Sequence, residues 1–389
     1  MKKYLFSWLL SGYAVSAYCQ INTGKIVGQD SSNRVITTAV PFLTITPDSR
    51  AAGMGDAGVA TSADANSSYW NPGKLVFIDK GGFGFSTSYT PWLARIINDM
   101  KLMYLTGFYR IDRNQVVSGS LKYFDMGSIN FRDGNNVDLG RYNPREYAVD
   151  VTYSRRLTEN FGIGGSVRYV RSNLTGAFSS TTDARAGSSV AVDLGAMYTK
   201  QFQTHNSTLS LGGSITNLGS KMTYTSAANK DFIPTSIRLG GAYKTELDPL
   251  NSLTFALDFN KLMVPTTAPG SRAKPMLNGV LGSFSDTNFA EEIREISISS
   301  GMEYWYNNFF AARLGYHYEA KDKGNRKYLT AGMGLRYESP TNKDIFGLDM
   351  AYMIPTTIGQ SALAETIRFT LFYILPVKTV KQTETTTED

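Results

Sequence analysis

The feature that most restricts this chain is a hydrophobic period of two, kept up from about residue 81 to residue 375. In one stretch Tyr147, Val149, Val151 and Tyr153 fall on one face, and Ala148, Asp150, Thr152 and Ser154 on the other. Val190, Val192, Leu194, Ala196 and Tyr198 oppose Ala191, Asp193, Gly195 and Thr199, Met197 being the exception. Leu253, Phe255, Leu257 and Phe259 likewise oppose Thr254, Ala256, Asp258 and Asn260. Segments of this kind are expected near 81–89, 102–110, 115–124, 146–156, 161–171, 189–200, 208–218, 233–244, 252–263, 295–305, 309–318, 327–337, 344–352 and 365–375. That makes fourteen strands, most of them about nine to eleven residues long, the length a tilted strand needs to cross a bilayer. Strands in soluble domains average about half that.

The connections between these strands alternate as well. Ile111–Asn114, Thr158–Asn160 and Tyr306–Asn308 are short, whereas Glu319–Arg326 is longer and Val264–Arg294 reaches about thirty residues. Segregation of this kind is what an outer-membrane barrel produces, with short periplasmic turns and long extracellular loops. Closure removes the edges that would leave N–H and C=O groups unpaired in hydrocarbon. The expected fold is therefore all-β: a fourteen-stranded antiparallel transmembrane β-barrel of the outer membrane, with an N-terminal plug. A helical membrane protein is excluded, because the mean hydropathy is −0.21 and no apolar run beyond the N-terminus approaches the ~18 residues a spanning helix needs. A propeller would repeat about every forty residues, and no such repeat occurs. The net charge of +6 is spread along the chain, so no nucleic-acid partner is expected.

Residues 1–19 carry Lys2, Lys3, an apolar stretch from Tyr4 to Val15 and the small residues expected of a signal peptide. Cys19 is the only cysteine, so cleavage after it leaves no thiol for disulfides or metal. Residues 20–80 form an N-terminal extension and lumen plug. Its run from Pro47 to Ala60 is small and glycine-rich, suited to close backbone approach inside a barrel whose inward glycines, among them Gly162, Gly164, Gly332 and Gly334, leave room. Asp64 is placed to cap a short helix stopped by Pro72. The barrel occupies 81–375. Beyond it, 376–389 begins with Pro376, is rich in Thr with Glu384, Glu388 and Asp389, and is expected to be a disordered periplasmic tail.

No catalytic, cofactor-binding or metal-binding residue is expected. The two histidines, His205 and His317, have no companion at metal-ligand spacing, and no Gly-x-Ser-x-Gly elbow occurs at a turn. Asp150, Asp193, Asp258, Arg168, Arg238 and Arg368 point inward and are suited to line a polar lumen or to hold the plug by ion pairs. Trp92 in the first long loop, and Phe284 and Phe289 in the longest, are candidate anchors for a protein partner.

The blocks PFLTITPDSRAAGMGDAGVATSADANSSYWNPGK, SYTPWLARIINDMKLMYLTGFYRI and YNPREYAVDVTYSRRL resemble the PorV family, outer-membrane barrels of the Bacteroidetes type IX secretion system, which is grouped with FadL-like fourteen-stranded transporters. The FadL plug motif Asn-Pro-Ala corresponds to Asn71-Pro72-Gly73 after Trp70, with glycine at the third position. The resemblance implies a non-enzymatic role: binding the C-terminal signal domains of cargo at the cell surface, docking on the SprA (Sov) translocon, and delivering cargo to the PorU sortase complex. It also implies contact with outer-membrane lipid and lipopolysaccharide, long loops outside the cell, and both termini in the periplasm. A FadL-like passive channel for hydrophobic molecules, with a lipid or detergent in the lumen, is the alternative, and a lipopolysaccharide-modifying barrel enzyme a further one.

Overall fold

A computed structural model describes residues 35–78, 81–94, 99–132, 134–174, 185–203, 206–225, 230–266, 273–356 and 366–376. The expected leader, the tail beyond Pro376 and His205 lie outside the described residues. Fourteen strands close on themselves: β1 (Phe83–Pro91), β2 (Lys101–Arg110), β3 (Gln115–Asp125), β6 (Arg145–Arg156), β7 (Phe161–Asn173), β8 (Gly187–Phe202), β9 (Ser207–Gly219), β10 (Ser236–Glu246), β11 (Asn251–Leu262), β12 (Ile296–Tyr306), β13 (Phe310–Tyr318), β14 (Lys327–Glu338), β15 (Ile345–Pro355) and β16 (Ile367–Leu375). Each pairs antiparallel with its neighbours, and β1 closes the ring against β16 from Phe83↔Leu375 to Tyr89↔Phe369. The ends of these strands fall within three residues of those expected from the period alone. Two further strands, β4 (Ile129–Arg132) and β5 (Asp138–Tyr142), form a separate hairpin in the connection after β3 that the sequence reading did not anticipate. Its residues are largely exposed, so no apolar row marks it.

The exposure pattern is that of a soluble protein turned inside out. Val151 is 66% exposed while its neighbour Asp150 is 6% exposed, and the same alternation runs along β1, β2 and β6. The outward faces carry Leu105, Val167, Leu211, Leu257 and Leu371 between bands of aromatics: Phe83, Tyr109, Tyr153 and Tyr337 toward the short turns, Tyr89, Tyr169, Phe259 and Tyr352 toward the long loops. Such a belt with aromatic girdles is the surface a bilayer requires. The short turns are made locally. Asn307 and Asn308 both take positive φ (50°), a conformation asparagine tolerates, in the turn that Phe309 N closes on Tyr306 O at 2.9 Å, and Asp112 and Asp248 accept hydrogen bonds from backbone N–H groups two residues on.

Residues 35–78 thread the lumen. Ala39 N donates to Phe232 O at the long-loop end, and Arg156 donates to Val76 O at the short-turn end, after which Gly82 N meets Leu375 O and β1 begins. The described chain thus opens at one mouth of the barrel and closes, at Pro376, at the other. The threading segment runs the length of the lumen before the first strand starts. Along the way it makes only short helical pieces of one or two turns: Pro41–Thr44, Ser49–Ala52, Ser67–Trp70 and Pro72–Phe77. Asp64 does not cap the expected helix directly: Asn66 precedes it, and Asp64 instead accepts from Asn66 N at 2.9 Å.

Small inward residues of the wall make this passage possible. A Cβ on Gly315 would overlap the backbone of Gly55, one on Gly195 the side chain of Asn71, and one on Gly164 would stand 2.5 Å from Pro72 C. Gly332 meets Gly53 and Gly162 meets Val76, whereas Gly334 faces the Arg313 guanidinium rather than the threading segment. Gly119, by contrast, has nothing nearer than the Asp150 carbonyl oxygen at 3.8 Å. Gly315→Ala should therefore cost about 1–3 kcal/mol by overpacking, and Gly119→Ala about 0.5 kcal/mol or less. The heat-denaturation midpoints of the two purified barrels check this, and equal midpoints would refute the close-approach account.

Candidate functional site

Two places stand out: the sealed lumen and the longest loop. In the lumen, Trp70, Asn71, Pro72 and Gly73 lie on the short turn Ser67–Trp70 and the 3-10 turn that follows. Proline at the first position of that turn loses no hydrogen bond, and Asn71 before it is extended (φ −159°, ψ 106°). The Asn71 side chain then works at both ends: its oxygen accepts from Gly73 N at 3.0 Å, and its Nδ2 donates to Ala196 O of β8 at 2.9 Å and to Val59 O at 3.3 Å. Trp70 Nε1 donates to Asp48 at 2.8 Å, and Ser214 of β9 donates to Trp70 O at 2.8 Å. The motif is a splice between the threading segment and the wall.

Wall charges supply the rest of the grip. Asp258 of β11 accepts from Gly58 N and Val59 N at 2.7 and 2.8 Å, and the Arg238 guanidinium of β10 lies over both Tyr69 and Trp70 at 5.1 and 5.2 Å. Lys122 of β3 donates to Leu43 O and Ile45 O and covers the Tyr69 ring. Arg368 stands 3.9 Å from Asp56. Arg168 differs: it bridges Asp150 and Asp193 within the wall itself, and also bonds Asn217.

One ionic cluster of the lumen was not found from sequence. Arg50, in the glycine-rich run, forms a forked pair with Glu303 of β12 (2.9 and 2.7 Å) and reaches Asp64 at 2.9 Å. Glu303 also accepts from Arg313 of β13 at 2.7 Å, and Arg313 continues to Asp349 of β15 at 2.7 Å. Glu303 and Arg313 occupy inward positions of strands, which is a signal; what no pattern shows is that Arg50, about 250 residues earlier, completes the chain.

Inside the threading segment, burial sets the ionisation. It pushes the Asp48 carboxyl up to about 6, with Asp64 adding to the rise against the N–H groups of Ala51 and Trp70. Burial would raise Asp64 too, but Lys74 and Arg50 outweigh it and hold that carboxyl below its usual range. Burial brings the Lys74 ammonium down to about 8 despite Asp64; it donates to Gly58 O and Thr61 Oγ1 at 2.7 and 2.9 Å.

His317 faces the lumen, 7% exposed, stacked on Tyr328 with Ser299 Oγ 3.0 Å from its Nδ1. Its Nε2 has no hydrogen-bond partner among the described residues, and Ser299 and His317 both turn away from lipid. Among the described residues no cluster of His, Cys, Asp and Glu has the arrangement of a metal site.

The longest loop, between β11 and β12, folds into two short helices, α1 (Met276–Gly282) and α2 (Phe289–Arg294). Its base is fixed: Lys261 pairs with Glu292 and Glu295, Lys323 with Glu291 and Glu295, and Asp286 accepts from Thr266 N at 2.8 Å. Its outer side is apolar. Phe289 is 80% exposed and Leu281 69%, with Leu277, Phe284 and Ile293 exposed beside them. Trp92 is placed differently from these anchors: it is half-buried, edge-on to Phe124 in the cluster that caps the lumen around Phe42 and Leu43.

Removing one partner of the lumen cluster leaves a buried charge alone. Arg50→Gln should lower stability by about 3–5 kcal/mol, read as a lower heat-denaturation midpoint. For Asp48, the native state keeps its proton at a pH where the unfolded chain has lost it, so this group weakens folding progressively as pH rises from about 4 to about 6. Asp48→Asn should remove that component, and the difference between variant and wild-type midpoints should change between pH 4 and pH 7.

No curated protein matches the chain. Among solved structures it is similar to the Ralstonia pickettii toluene transporter TbuX, with 14% identity over 85% of this chain and 98% of that one and a TM-score of 0.45. It is also similar to a Pseudomonas aeruginosa FadL homologue, with 10% identity over 88% and 99% and a TM-score of 0.44. The family described as type IX secretion system protein PorV matches residues 28–269, which is 242 of the 389 residues. A closed barrel wearing an apolar belt has its place in the outer membrane, and this chain belongs to the PorV family of type IX secretion system proteins.

Proposed function

We propose that this barrel is a carrier that works at its rim rather than through its lumen: a non-enzymatic subunit that binds the C-terminal signal domains of cargo at the cell surface, docks on the SprA translocon and passes cargo to the PorU attachment complex. In this reading the long-loop end is extracellular and the short turns are periplasmic. The observation that carries it is the contrast between the two sites. The lumen is occupied by a segment joined to the wall through backbone and buried charge, which supports a scaffold over a passive channel. The loop between β11 and β12 instead holds five apolar side chains in solvent on a base fixed by ion pairs. Exposed aromatic and aliphatic groups on a rigid support are what a protein interface uses for anchors, since little freedom is lost on binding.

Leu281→Asp combined with Phe289→Asp should reduce co-purification of SprA and of cargo with this chain at least tenfold while leaving the barrel assembled. Undiminished recovery of both would sink the reading. With Cys19 removed, Leu281→Cys should react with a membrane-impermeant maleimide on intact cells, and protection until the envelope is opened would reverse the orientation.

A further inference from the structure

At the short-turn mouth, opposite the loop just described, a cavity of about 250 Å³ lies between the lower bend of the threading segment and the ends of β10, β14, β15 and β16. Its wall contains Arg336, an arginine that forms no ion pair among the described residues, although the carboxylates of Asp349 and Glu303 lie farther off. The guanidinium is held between the faces of Trp305 and Phe372, 4.2 and 5.6 Å from the ring centroids, and its Nε is buried with no hydrogen-bond partner. Among the described residues no carboxylate stands within 4.0 Å of it: Asp349 and Glu303 are already taken by Arg313 and Arg50. Lys244 lies on the same wall, also without an ion pair among the described residues. Glu338 at the rim faces Lys343 at 3.9 Å, and Asp64 is bound by Arg50.

Two further features describe what would fit. Asn66, 5% exposed and lining the cavity, has a side-chain oxygen with no donor. Ile78, Phe372 and Ile374 add an apolar patch to a wall that also carries Ser62, Asn308 and the Asp349 carboxylate, the last held by Arg313. A bare inorganic ion would use the arginine and leave the rest. A short peptide bearing a carboxylate would use all three, with the carboxylate forked on Arg336, a peptide N–H on Asn66 and side-chain methyls on the isoleucines. We propose that this cavity is a binding site for an acidic peptide segment, held by Arg336 and Lys244 at the short-turn mouth. Aromatic faces on both sides limit the guanidinium's rotation, so it stands oriented before the ligand arrives.

The peptide has two sources. One is this chain: Ile374 lines the cavity, the described residues end at Pro376, and residues 384–389 include Glu384, Glu388 and Asp389. The other is a separate periplasmic protein. Full-length barrel and a barrel ending at Pro376, both in neutral detergent, would be titrated into a fluorescein-labelled peptide Thr-Glu-Thr-Thr-Thr-Glu-Asp, copied from residues 383–389, and into its Gln/Asn counterpart, with anisotropy as the readout. The shortened barrel should bind the acidic peptide saturably and the neutral one at least tenfold more weakly, and Arg336→Gln should lose at least tenfold. Should that variant fail to assemble, Lys244→Gln is expected to weaken binding several-fold on the intact fold. Full-length barrel that binds several-fold more weakly than the shortened one assigns the site to the chain's own end; equal binding assigns it to a separate molecule. Equal affinity for acidic and neutral peptides, unchanged binding by either variant, or no binding to either barrel overturns the site.

Discussion

Hydrocarbon offers a polypeptide no hydrogen bonds, and most of this structure follows from that. Every backbone N–H and C=O at membrane depth has to find its partner in the neighbouring strand, so the sheet must close, and it does so through the β1–β16 pairing. Closure fixes the side-chain period: whatever is apolar faces lipid, and whatever is polar or small is left inside. The interior then has too few apolar groups to fill itself by hydrophobic packing, which is why Asp150, Asp258, Glu303 and Arg313 are buried there. A segment that fills such a space must bring hydrogen-bonding capacity with it.

Residues 35–78 do so with backbone amides, carbonyls and a small number of charges. Ion pairs in a buried setting are costly to assemble, since each charge gives up its water, and they are weak arguments for net stability. Their consequence is specificity of position. Arg50 has one place in the lumen where Glu303 and Asp64 meet it together, and Asp258 can accept two consecutive amides only where Gly58 and Val59 pass. Shifting the segment by one residue would strand several of these groups at once. A wall that is polar and glycine-bearing thus converts a flexible composition into a fixed path.

How much of this the sequence discloses depends on whether the cause is local. The strands and the parity of the loops were legible because period two and chain length are local properties, and Gly164 and Gly332 were legible as inward because parity carries through a strand. The Asn71-Pro72-Gly73 splice was legible as a motif, though its partner Ala196 was not. What escaped has non-local causes. Arg50 meets Glu303 across about 250 residues, the β4–β5 hairpin has no buried face to mark it, and Trp92 packs on Phe124 only because the barrel closes above Phe42. The direction in which the segment threads the lumen belongs to the same class, since a run of small residues has the same composition read from either mouth.

The division of the molecule into a fixed lumen and a decorated rim has a physical reason. Strand residues are constrained on both sides, outward by lipid and inward by the segment they hold, so little surface remains on which new recognition could be built without disturbing the barrel. Loops at the mouth have neither constraint. The loop between β11 and β12 uses that freedom by tying its base to Lys261 at the end of β11 and to Lys323 in the connection between β13 and β14, and presenting Leu281 and Phe289 beyond it. The ion pairs face inward, shielded from solvent, and the apolar groups face outward, the reverse of what a loop needs for its own stability. Under the proposed function, a partner bound there would cover the oily side chains that this arrangement leaves in water, and the buried ion pairs would already have held them in place.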